Sequence, residues 1–259
     1  SMIQVFKNIY EYREMLKSLV SKDLKTRYKG SFLGFLWTFL NPLMQLAVYA
    51  LIFPFLMRID EKNYAMFLFV GLLPWIFFST SLQTSSDCII ENENLVKKIY
   101  FPRQVLPLSV ATAGMMNYIY GLLVVFVSLL LTRIGITWYA LYLPLILLIQ
   151  YVLVVGFCLL VSSLNVYIRD LEHIVNIATM AWFYATPIVY KLEMMPQWVQ
   201  NILVFNPMTP LVVSYRNVLY YGTSPDFGSL WIAAAEAIII FVAGMLVFDK
   251  LEKGFAEEI

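Results

Sequence analysis

The segment Arg27-Tyr-Lys-Gly-Ser-Phe-Leu-Gly-Phe-Leu-Trp-Thr-Phe-Leu-Asn-Pro-Leu43 joins a basic cluster to an apolar run. Charge is dense before it, from Ser1 to Lys29, and almost absent after it until Arg58. No turn-forming linker is evident between the two halves. The segment therefore reads as the place where the chain leaves water for lipid, at the cytoplasmic mouth of a first membrane span.

Composition agrees. The 259 residues are 61% hydrophobic and 14% charged, with a mean hydropathy of +0.74, whereas a soluble domain carries about 25% charged residues. A bilayer core of about 30 Å needs about 20 apolar residues at 1.5 Å rise each, and several charge-free runs reach that length. Cys88 and Cys158 are read as free thiols without metal-ligand spacing. The charged start lacks the compact apolar core and small-residue cleavage site of a signal peptide, so none is expected.

The resulting fold class is an all-α integral membrane protein, a single transmembrane domain over 1–259. Residues 1–29 form an amphipathic interfacial helix, with Val5, Phe6, Ile9, Leu16, Leu19 and Leu24 at helical spacing and Lys7, Arg13, Lys17 and Lys22 elsewhere. Spans one to five fall in 30–192, at about 32–57, 64–86, 108–132, 141–166 and 174–189. Pro74 is expected to kink the second span, leaving a carbonyl for a neighbouring helix to satisfy. The polar stretch 87–107 cannot remain in lipid. The fifth span is short, and Ala178, Ala181 and Ala185 would let another helix approach closely. Pro196, Asn206, Pro207, Pro210 and Arg216 interrupt 193–222, which reads as an external re-entrant helical pair, since broken backbone at membrane depth must be covered by protein or line a cavity. The sixth span, about 229–248, and a charged tail complete 223–259.

With both termini cytoplasmic, only Arg58, Lys62, Arg133, Lys191 and Arg216 fall outside, and the remaining Lys and Arg fall inside. This is the bias that orients multi-pass proteins.

Several function classes lack their residues. There is no G-x-x-x-x-G-K-[ST] phosphate loop. His173 is the sole histidine, so no histidine metal cluster and no Ser-His-Asp arrangement can be built, and Asp170, Glu172 and His173 read as a solvated loop. No catalytic residue, metal or cofactor in this chain, and no nucleic-acid partner, is expected.

Five stretches carry a specific resemblance. They are Arg27 to Gly34 with Trp37 and Asn41-Pro-Leu43; Lys98-Ile-Tyr-Phe-Pro-Arg-Gln-Val-Leu-Pro107; Asn165-Val-Tyr-Ile-Arg-Asp-Leu-Glu-His173; Tyr184-Ala-Thr-Pro-Ile-Val-Tyr190; and Asn206-Pro-Met-Thr-Pro-Leu-Val-Val-Ser-Tyr-Arg216. In this order they resemble the membrane subunits of type-two ABC exporters, the polysaccharide, O-antigen and teichoic-acid group. The resemblance implies a homodimeric permease of the inner (plasma) membrane. It would work with two separate ATPase subunits, which would hold ATP and Mg, and would move a lipid-linked polysaccharide outward. Export of a small lipid or drug by the same architecture is the alternative; a membrane-embedded glycan or acyl transferase, or a membrane scaffold, are readings from other classes.

It also implies roles for residues. Glu91, Glu93, Lys97 and Arg103 in one inner loop, and Arg169, Asp170 and Glu172 in another, would couple to the ATPase; otherwise they are ordinary loop charge. Arg27 and Lys29, beside Gly30 and Ser31, would bind a lipid diphosphate through charge-assisted hydrogen bonds, or would anchor the first span to anionic headgroups. Phe32, Phe35 and Phe39 recur along one helix face, which reads as helix packing or lipid contact, with a sugar path as the alternative. Glu236, deep in the last span, must face protein or be protonated, and a structural hydrogen bond is one outcome.

Overall fold

The computed structural model describes residues 2–259, apart from the side chains of Met2 and Met57; Ser1, the first residue of the expected interfacial helix, lies outside them. The described residues are mostly helical, with no strand. In chain order the helices are α1 (Met2–Glu11), α2 (Arg13–Thr26), α3 (Trp37–Met57), α4 (Tyr64–Glu91), α5 (Glu93–Lys98), α6 (Val105–Leu131), α7 (Leu143–Tyr167), α8 (Leu171–Tyr184), α9 (Gln197–Leu203), α10 (Met208–Arg216), α11 (Phe227–Leu251) and α12 (Phe255–Glu258).

Five stretches are long and apolar enough to cross a membrane: Gly34–Leu56, Tyr64–Glu91, Val105–Leu131, Trp138–Tyr167 and Phe227–Glu258. The count of six is not reached by helix length, because α8 has 14 residues, about 21 Å at 1.5 Å per residue. Beyond it the chain runs irregularly through 185–191. Conversely, α4 continues past Ser86 to Glu91, and its 28 residues measure about 42 Å, more than the hydrocarbon core requires.

Two local expectations are corrected. The amphipathic start is two helices, broken at Tyr12. The join at Arg27–Leu43 does contain a turn: Gly30 and Gly34 have φ of +83° and +48°, and only then does α3 begin. Left-handed backbone costs glycine nothing sterically, so these residues let the chain reverse between α2 and α3.

The core is the pairing of α7 with α11. A Cβ at Gly156 would lie 2.7 Å from the backbone nitrogen of Phe241, and one at Gly244 would lie 2.5 Å from the Gly156 carbonyl oxygen. The two backbones touch because neither residue has a side chain, the kind of close approach that drives helix association in lipid. Buried Ala233 and Ala237 extend the contact. Against this pair pack α4, α6 and α10, whereas the apolar window of α3 contributes no buried residue. At Pro74 the buried Gln150 amide donates to the Pro74 carbonyl (2.7 Å) and accepts from the Tyr215 hydroxyl (2.8 Å). A neighbouring helix thus bonds the proline's own carbonyl, whereas the one that Pro74 frees is Val70's, four residues earlier.

Candidate functional site

One end of the bundle gathers both predicted coupling loops, the N-terminal helices and the C-terminal tail. In α5, Glu93 occupies the first turn and Lys97 and Lys98 the last, complementing the helix dipole. Glu93 and Lys97 pair at 3.8 Å, and buried Val96 anchors the helix. In the second loop the Asn165 side-chain oxygen accepts from the Glu172 backbone N–H (3.0 Å), capping α8 and leaving Ile168, Arg169 and Asp170 at an exposed tip. Glu91 is exposed and Glu172 half-buried, and both lie within electrostatic reach of Asp87.

Arg103 is placed differently from the other predicted coupling residues. Its guanidinium donates to the Glu252 carbonyl (2.6 Å), while neighbouring Gln104 donates to Asp249 (3.0 Å). From the other loop the Tyr167 hydroxyl donates to the Leu251 carbonyl (2.8 Å). Phe255 is fully buried, edge-on to Phe248 (5.4 Å) and beside Tyr167 (6.3 Å). The tail therefore ties the two loops together, a role for Gln104, Tyr167 and Phe255 that no local sequence pattern signals. Around this clasp, large apolar side chains stand uncovered: Tyr100 is 93% exposed, Ile168 54% and Ile99 51%.

At the α2–α3 junction, Arg27 pairs with Asp23 at 3.5 Å. Burial pushes the Asp23 carboxyl above the ordinary carboxylate range, with Arg27 pulling the other way. Lys29 is exposed, and the Ser31 hydroxyl accepts from the Trp37 indole (2.8 Å). Arg27 and Tyr28 stand at one end of a cavity of about 210 Å³ between α3, α4 and α6. The predicted aromatic stripe does not share one helix. Phe32 precedes the helix and is fully exposed, and Phe35 lies in a 3-10 turn, edge-on to Phe39 and Tyr120 (both 5.5 Å). Left-handed Gly34, between Phe32 and Phe35, breaks the periodicity on which the stripe depended. Glu236 is half-buried beside the α7-packed Ala233 and Ala237. It makes no hydrogen bond among the described residues.

The opposite end is held by contacts the sequence did not predict. Glu61 pairs with Lys191 and accepts from the hydroxyls of Tyr220 (2.9 Å) and Tyr221 (3.1 Å). Burial alone would raise its carboxyl, but these donors outweigh burial and hold it below the ordinary range. Arg216, counted among the outer-side cations, is buried, at 3% exposure. It donates to the carbonyls of Phe67 (3.1 Å), Pro187 and Ile188, and its guanidinium lies 3.7 Å over the Phe67 ring. Asn206 caps α10 through the Met208 N–H (3.1 Å), accepts from the Trp182 indole (2.8 Å) and donates to Thr186 (2.9 Å). The last two sequence motifs are thus bolted together by hydrogen bonds.

A bundle with five helices long and apolar enough to cross a membrane, and a structured polar face at one end, is the architecture of an integral membrane protein. Residues 14–220 match the family described as ABC-2 type transporter, and the chain belongs to it. Among its relatives, the O-antigen export system permease protein RfbA of Myxococcus xanthus is 38% identical over the full length of both chains. The protein of the same name from Klebsiella pneumoniae is 35% identical over 94% of each. The polysialic acid transport protein KpsM of Escherichia coli is 22% identical over 92% of this chain and 93% of its own.

Proposed function

We propose that this chain is the permease of an ATP-driven exporter of the inner membrane, moving a lipid-linked polysaccharide from the cytoplasmic face outward. The observation that carries the reading is end-to-end likeness to permeases named for O-antigen export, at 38% identity without a missing segment. The clasped inner end supports it: Tyr100, Ile99 and Ile168 are uncovered where water would otherwise meet them, as a surface awaiting a protein partner would be. Glu91, Glu93, Lys97, Arg169 and Asp170, exposed around those residues, would meet two ATPase subunits that bind ATP and Mg. The exposed α8 face, with Ala178, Ala181 and Ala185 beside Ile174, Ile177 and Met180, suits a second copy of the chain. Lys191 and Tyr220–Tyr221, which flank α9 and α10, meet at the same Glu61, and this supports a re-entrant reading of the intervening segment. Purification from the native membrane should recover an ATP-binding subunit, and deletion should leave a lipid-linked glycan in the cytoplasmic leaflet. Recovery of the chain alone, with surface glycan unchanged on deletion, overturns the proposal.

A further inference from the structure

The cavity between α3, α4 and α6 has a wall chemistry unlike its surroundings. Thr38, Asn41 and Gln45 recur at intervals of three and four, which brings them to one face of α3. Opposite stand Thr80 of α4 and Asn117 and Tyr118 of α6. Asn117 Oδ1 and the Tyr118 hydroxyl are buried without a hydrogen-bond partner among the described residues, and Tyr118 is 3% exposed. In an apolar bundle each such orphan costs free energy unless something polar occupies the space beside it.

We propose that this cavity binds a single neutral sugar ring, the residue nearest the phosphate of a lipid-linked glycan. Beyond the mouth every polar wall group is an amide or hydroxyl, which suits a polyhydroxylated ring and not an ion. Phe77 and Tyr118 are stacked at 5.9 Å and 17°, offering an aromatic surface to the C–H face of a sugar. The volume of about 210 Å³ equals about seven waters at roughly 30 Å³ each, space for one ring but not for a chain. Arg27, paired with Asp23, is the one guanidinium of the wall among the described residues, and the adjoining phosphate would sit beside it. The thinly covered α3 offers a side through which a lipid-borne ligand can enter. The inference rests on the proposed substrate class.

The test uses a Thr80→Cys variant of the full chain in lipid nanodiscs, where the buried Cys88 and Cys158 are shielded from reagent. Maleimide labelling of the new thiol is followed with octyl glucoside below its micelle threshold, octyl phosphate or octanol. Octyl glucoside should slow labelling several-fold, with octanol and octyl phosphate much weaker. Adding Asn117→Leu, or separately Tyr118→Phe, should weaken that protection about tenfold, the loss expected from roughly one net hydrogen bond or more. Labelling indifferent to glucoside means water alone fills the cavity and overturns the inference, as does equal protection by octanol. Protection without any glycan accumulating on deletion would instead leave the site standing and refute the proposed substrate of the exporter.

Discussion

Arg216 forms no ion pair among the described residues; its charge is met by three backbone carbonyls and an aromatic face, with Glu61 and Glu193 acting on it from farther off. Those carbonyls belong to α4 and to the irregular stretch after α8, so one side chain closes the gap left where α8 stops. Arg216→Ala strands the acceptors, at about 1–3 kcal/mol for each one left unsatisfied. Arg216→Lys keeps the charge but lacks the planar fork. Gly71 is required by the same contact, since a Cβ there would stand 2.4 Å from the Arg216 Nη2. Thermal unfolding in detergent should show Gly71→Ala and Arg216→Ala each lowering the midpoint. The double variant should be no worse than Arg216→Ala, because the clash disappears with the guanidinium. Fully additive losses would mean the two residues act separately. The sequence marked Arg216 as an interruption, as the end of a motif and as an outer-side cation, but not as a buried one. Its partners are main-chain oxygens, and these leave no signature in residue type.

Among the helices, those legible from sequence were the ones whose apolar runs exceed the bilayer thickness: α3, α4, α6, α7 and α11. The spacing of apolar residues fixed their existence, while their ends shifted wherever a helix projected into water, as α4 does. What escaped was set by long-range contact. The tail reads as a charged remnant, yet Phe255 is fully buried against Phe248 and Tyr167, and Gly254 has room for no side chain beside the Tyr167 hydroxyl (2.4 Å from a Cβ). Likewise, Arg103, expected to couple to the ATPase, has its acceptor in the tail. Phe255→Ala should release the tail at about 3 kcal/mol, the usual cost of truncating a buried phenylalanine. Limited trypsin digestion should then cut at Lys250 or Lys253 much faster, with the spans still protected. An unchanged digestion rate would show that the clasp does not depend on that ring.

The molecule as a whole is pinned at both ends and along one axis. At the end opposite the tail, Glu61 gathers Lys191, Tyr220 and Tyr221 from segments far apart in sequence. Because the folded state holds this carboxyl below its unfolded value near 4.5, its contribution is complete above that value and disappears as pH falls through the folded one. Acidification below about pH 4.5 should therefore lower the melting temperature more in the native protein than in Glu61→Gln. The difference should correspond to about 0.5–1 kcal/mol, the range of a partly exposed ion pair; parallel curves would show that Glu61 titrates alike in both states. Between the two ends, α7 and α11 touch backbone to backbone at Gly156 and Gly244, and also meet where Tyr142 packs on Phe227 (5.3 Å). Such a pair has no slack in which to slip. A tilt imposed at the Arg169 tip would be carried toward the far rim by a lever arm of about 37 Å, the length of the 25 residues of α7.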